Sequence, residues 1–140
     1  MSDKCFVDTN ILVYAHERSA GEKHRKAERL VAALWDDRSA AISTQVLQEL
    51  YVNVRRKAGQ PVSVEEARAL TADYLRWDVV VNTGESILDA LEIESRYRIS
   101  FWDALIVQAA AAAGAEVLYS EDLGDGQSYG SVRVENPLRD

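Results

Sequence analysis

Two aspartates stand where an ionised side chain is hard to accommodate. Asp8 follows the apolar run Cys5-Phe6-Val7 and is itself followed closely by Ile11 and Leu12. A carboxylate so flanked lies near a core, although it could also cap a helix. Asp103 shares a helical face with Ile106, Val107 and Ala110. It also completes a Ser100-x-x-Asp103 capping pattern, but a carboxylate on so apolar a helix needs a partner. Glu49 lies beside the apolar stripe Val46, Leu47, Leu50, Tyr51 and Val54, and Asp122 falls in a loop. Pattern alone leaves these two open between a site and an ordinary exposed or turn acid.

Carboxylates gathered in one place repel and raise one another's pKa. Cations relieve this, and hard oxygen ligands select Mg²⁺ or Mn²⁺. Such ions activate and orient water and stabilise an in-line displacement at phosphorus. No histidine or cysteine set with zinc spacing is present: His16, His24 and Cys5 are the only histidines and cysteine.

The elements that must carry these acids alternate. Residues 4–7, 40–42, 78–81, 116–119 and 132–134 read as strands. Helices are expected over 10–16, 23–36, from Ser43 or Thr44 to about Lys57, from Ser63 to about Leu75, from Thr83 through Tyr97, and from Ser100 to about Ala113. Gly59 and Pro61 end the third helix, and Gly114 the last. Ser63 with Glu66 forms a capping box. Gly124, Gly126 and Gly130 mark a loop between the last two strands. Strands separated by helices imply parallel crossovers and an α/β/α sandwich around a mainly parallel sheet. In such sheets ligands sit at the carboxyl ends of the strands. Asp8 and Asp122 fall just past strands, and Glu49 and Asp103 lie near helix starts that face the same edge. Acids more than a hundred positions apart can therefore converge.

The chain has 140 residues, 47% of them hydrophobic, which fits one compact domain over 1–140. A single cysteine cannot form an internal disulfide, so a reducing cytoplasm is the expected location. No run approaches the ~20 apolar residues of a membrane helix. The net charge of −7 argues against a nucleic-acid partner unless the acids hold cations. Basic residues do cluster, at Arg18, Lys23, Arg25, Lys26 and Arg29, and again at Arg55, Arg56 and Lys57. Each cluster is either a solvated helix face or a contact for substrate or partner.

Three segments taken in order carry a family resemblance: Phe6-Val7-Asp8-Thr9-Asn10-Ile11-Leu12, Ser100-Phe101-Trp102-Asp103-Ala104-Leu105-Ile106 and Leu118-Tyr119-Ser120-Glu121-Asp122-Leu123. Together they resemble PIN-domain nucleases, and more narrowly the VapC toxins of VapBC toxin–antitoxin pairs, over essentially the whole chain. The resemblance implies that Asp8, Glu49, Asp103 and Asp122 hold one or two Mg²⁺ or Mn²⁺ ions, with Asp8 and Asp103 central. Glu49 matches through its place in Ser43-Thr44-Gln45-Val46-Leu47-Gln48-Glu49-Leu50. Asn10, Thr44 and Ser120 match small polar positions that line such sites. Glu121 has the same chemistry as Asp122, but its side chain is expected to point away. The implied activity is endonucleolytic RNA hydrolysis leaving a 5′-phosphate and a 3′-hydroxyl. The implied partners are a VapB-type antitoxin and a second copy of the chain.

Other α/β families with acidic pockets fit less well. A phosphate-switched receiver domain, or an aspartate-nucleophile phosphatase, needs a late lysine, and the last one here is Lys57. No G-x-x-x-x-G-K loop is present. A non-catalytic module that docks a basic partner through its acids, or a PIN-like enzyme acting on DNA or outside a toxin–antitoxin pair, is the alternative.

Overall fold

The computed structural model describes residues 4–56 and 62–139. Six strands form one sheet: β1 (Cys5–Val7), β2 (Ala40–Ser43), β3 (Asp78–Val80), β4 (Val117–Tyr119), β5 (Ser128–Tyr129) and β6 (Val132–Glu135). Six helices connect them: α1 (Thr9–Ala15), α2 (Glu22–Asp37), α3 (Thr44–Arg56), α4 (Val64–Tyr74), α5 (Gly84–Tyr97) and α6 (Phe101–Ala112). The strand order is β3-β2-β1-β4-β6-β5. All pairings are parallel except that of β5 with β6.

Burial explains why the strands are where they are. Every residue of β1 and β2 is buried, so both faces of the sheet centre are covered. Helices α2 and α3 pack on β2, while α6 packs on β2, β4 and β6. Phe6, Ile42 and Leu118, one from each central strand, are fully inaccessible. Each such side chain contributes about 1.5–3 kcal/mol through burial. On α2 only the stripe Ala27, Val31 and Leu34 is buried, the pattern of a helix lying on a sheet.

The chain builds outward from β1 to β2 and β3, then returns to place β4 on the other side of β1. The reversal creates a switch point between β1 and β4, where open α/β sheets bind ligands. Register makes the juxtaposition explicit: Val7 pairs with Tyr119, and the Asp8 N–H donates to the Tyr119 carbonyl at 2.9 Å. Asp8 and Ser120 are thus neighbours across the switch point.

Most helix starts follow the expected caps. Asp8 caps α1, and the Ser63 and Ser100 hydroxyls accept from the N–H groups of Glu66 and Asp103. At α3 it is Ser43 that accepts, from the Val46 N–H, while Thr44 is engaged elsewhere. Two elements differ from expectation. Arg18–Ala20 forms a 3-10 turn, and Ser128–Tyr129 is a two-residue strand inside the segment read as loop. The expected end of α3 at Lys57, Gly59 and Pro61 lies outside the described residues. No helix among the described residues is long and apolar enough to cross a membrane.

Candidate active site

A cleft of about 430 Å³ opens at the carboxyl edge of the sheet. Asp8, Glu49, Asp103 and Asp122 all line it. They arrive by four routes: the end of β1, the second turn of α3, the first turn of α6, and the segment after β4.

Asp8 is the deepest, only 5% exposed. Three donors hold its carboxylate. The Thr9 N–H reaches Oδ1 at 2.7 Å, the Ser120 hydroxyl reaches Oδ2 at 2.8 Å, and the Asn10 amide reaches Oδ2 at 3.5 Å. Burial nevertheless pushes its pKa up to about 7. The Ser120 and Thr9 hydrogen bonds act against that rise, and the charges of Asp122 and Glu49 add to it. Asp103 is half-buried, and its pKa is raised first by burial and then by the same two acids. Asp122 and Glu49 are thus felt at both aspartates.

Glu49 is held from two sides. The Thr9 hydroxyl donates to its Oε1 at 2.7 Å, and the Gln45 amide, one turn earlier on α3, donates to its Oε2 at 3.4 Å. The same amide reaches the Trp102 carbonyl at 3.3 Å, joining the starts of α3 and α6. Asp122 is exposed, and its backbone N–H donates to Ser120 Oγ at 3.2 Å.

The secondary positions divide. Asn10 lines the cleft, and its Oδ1 accepts from the Glu121 N–H at 3.2 Å. Ser120 is fully buried beneath Asp8. Thr44 is not among the lining residues. Its hydroxyl donates to Asn82 Oδ1 at 2.9 Å and accepts from the Asn82 N–H at 3.1 Å, tying α3 to the turn after β3. Glu121 does not point away from the cleft but lines it. Its Oε1 accepts from the Tyr14 hydroxyl at 3.0 Å and its Oε2 lies 2.6 Å from Lys23 Nζ. Tyr14 and Lys23 sit on consecutive helices, α1 and α2, whose packing brings them together. Sequence reasoning passed over Tyr14, Gln45, Asn53 and Trp102. The i, i+4 spacing of Gln45 and Glu49, and of Asn10 and Tyr14, is the signal that carries the first two.

The donor set is that of a hard cation. Five carboxylates share the wall, Glu121 with the four named above, and Gln45 Oε1, also buried there, has no donor among the described residues. No three described His, Cys, Asp or Glu side chains form a group that could hold an ion as they stand.

A PIN domain family model matches residues 5–124. Among solved structures, the chain is similar to VapC20 of Mycobacterium tuberculosis, a sarcin-ricin loop cleaving toxin, at 23% identity and a TM-score of 0.65, over 85% of this chain and 90% of that one. It is similar to a toxin–antitoxin complex from Klebsiella pneumoniae at 18% identity and a TM-score of 0.70, over 96% and 98% of the two chains. VapBC2 from Rickettsia felis, bound to a DNA fragment from its promoter, matches at 21% identity and a TM-score of 0.65, over 94% and 97%. At these identities the likeness is one of fold. No curated protein matches the chain in sequence. With the family model running from β1 through β4 and past Asp122, the chain belongs to the PIN domain family.

Proposed function

We propose that the chain is a divalent-metal-dependent endoribonuclease, the toxin of a toxin–antitoxin pair, acting through Asp8, Glu49, Asp103 and Asp122. The observation that carries this reading is the sharing of one cleft by these four acids at the switch point of the sheet. The similar structures support it: one is described as a sarcin-ricin loop cleaving toxin, one as a toxin–antitoxin complex and one as VapBC2 bound to promoter DNA. They also favour an antitoxin of the VapB type as the partner. The proposal extends to a homodimer and a cytoplasmic setting.

Asp8 and Asp103 would be the central holders of Mg²⁺ or Mn²⁺, with Glu49 and Asp122 completing the set. The bound ion supplies activation of water and stabilisation of the charge that develops at phosphorus. The protein's own groups do the positioning. Thr9 and Gln45 aim the Glu49 carboxylate, while Ser120, Asn10 and the Thr9 N–H aim that of Asp8. Those donors also keep Asp8 closer to ionisation than burial alone allows, and a ligating carboxylate must be ionised. Hydrolysis would leave a 5′-phosphate and a 3′-hydroxyl.

The test is cleavage of structured RNA by the purified chain with Mg²⁺ or Mn²⁺, with EDTA, and with Asp8→Asn and Asp103→Asn. Cleavage lost with EDTA and with both variants, their fold intact, supports the reading. Cleavage that persists in either variant overturns it.

A further inference from the structure

The three tryptophans occupy different settings. Trp77 is buried and Trp35 partly buried, and both pack with Tyr74 in an aromatic cluster beneath α2 and α4. Trp102 is 63% exposed. It belongs to neither apolar cluster, although its neighbour Phe101 packs on the smaller one. Single exposed apolar side chains are ordinary on protein surfaces. This one lines the acidic cleft and directly precedes Asp103.

Its backbone is tied and its ring has an aromatic neighbour. The Phe101 ring meets the indole edge-on at 5.1 Å between centroids, and the Trp102 carbonyl accepts from Gln45. A large flat apolar surface therefore lies beside carboxylates that cannot themselves bind a nucleobase by charge. Lys23, outside the lining itself, pairs with the lining residue Glu121, its side chain half exposed. The cleft, at about 430 Å³, is in the ~300–1,000 Å³ range of small-ligand sites, room for a nucleotide.

We infer that Trp102 is the residue on which an unpaired base of the substrate stacks at this cleft. The inference rests on the ribonuclease reading above. Aromatic side chains reach only bases that have left the helical stack, and they tolerate any base because each has a flat face. The acids act at the phosphodiester, Lys23 offsets backbone charge, and the indole holds the neighbouring base.

The probe is a hairpin RNA carrying the fluorescent base 2-aminopurine in its loop, compared with a fully paired RNA carrying it in the stem. Binding is read in Ca²⁺ and cleavage in Mg²⁺, for the wild-type chain, Trp102→Ala and Trp102→Phe. The wild type is expected to quench loop fluorescence and not stem fluorescence. Trp102→Ala is expected to lose the quench and bind about fivefold to a hundredfold more weakly, the range for removing one base stack. KM rises more than kcat falls, and Trp102→Phe restores much of the loss. Trp102→Ala leaves the urea midpoint near that of the wild type, because the indole is largely outside the core. Quenching unchanged in Trp102→Ala, or equal binding of hairpin and duplex, overturns the inference. So does failure of the wild type to bind either RNA. If the quench depends on Trp102 but no RNA is cut, the stacking site stands and the ribonuclease reading falls. If wild type and Trp102→Ala cut equally, the reverse holds.

Discussion

The Ser120 hydroxyl donates to Asp8 Oδ2 across 2.8 Å, joining the ends of β4 and β1 directly beneath the acidic cleft. The same oxygen accepts from the N–H groups of Asp122 and Leu123. One buried hydroxyl thus orients the deepest acid and shapes the backbone that carries the most exposed one. Ser120→Ala is expected to cost about 1.5–3 kcal/mol, the range for a hydrogen bond to a charged group. Urea denaturation at pH 8 measures it. A midpoint equal to that of the wild type would show the contact to be energetically idle.

Asp8 gives the metal-free protein a specific pH dependence. An unfolded aspartate titrates near 3.9, whereas burial first, then the charges of Asp122 and Glu49, raises Asp8 to about 7. Between these values the folded state binds the extra proton, so stability falls as pH rises and levels off above pH 7. Asp8→Asn removes the penalty. The variant is expected to be more stable than the wild type at pH 8, by on the order of 2–4 kcal/mol in EDTA. The gap should close towards pH 4, and thermal denaturation across that range follows it.

How much of this was legible beforehand depends on how local each signal is. Strand and helix bounds follow from apolar period and caps, and Ser43, Ser63 and Ser100 cap as their sequence neighbours suggest. Asp8 and Asp103 were legible because apolar neighbours make a carboxylate conspicuous. Glu49 and Asp122 were not, since one is half-buried and the other exposed, and only the family resemblance lifted them. Strand β5 was missed because two residues between glycines carry no period. Glu121 was misjudged because alternation along an extended strand no longer holds past Tyr119, where β4 ends. Its partners Tyr14 and Lys23 are more than ninety positions away and only helix packing reveals them.

Thr9 acts on the site through Glu49 and not through its own chemistry. Its hydroxyl donates to Glu49 Oε1 at 2.7 Å, and the residue is buried. Thr9→Val keeps the volume and removes the donor. Groups that orient ligands typically contribute 10–100-fold in metal affinity or activity. A loss in that range is expected for Mn²⁺ affinity, read by calorimetric titration, with the circular dichroism spectrum unchanged.

Lys23 is tied to the cleft through Glu121, and Glu121 is the first cause of its raised pKa. On the proposed ribonuclease reading, it offsets phosphate charge. Lys23→Ala is expected to raise KM with little change in kcat. It should also flatten the plot of log affinity against log salt by roughly 0.7–0.9, one phosphate contact. An unchanged slope would assign the lysine to Glu121 alone.

The account depends most on four acids sharing a divalent cation. The direct measurement is Mn²⁺ titration of the wild-type chain and of Asp8→Asn, Glu49→Gln, Asp103→Asn and Asp122→Asn at pH 8, without RNA. Saturable binding by the wild type, weakened at least about tenfold in the Asp8 and Asp103 variants and measurably in the other two, is the predicted result. Absence of binding in the wild type, or four variants that bind as it does, would contradict the account.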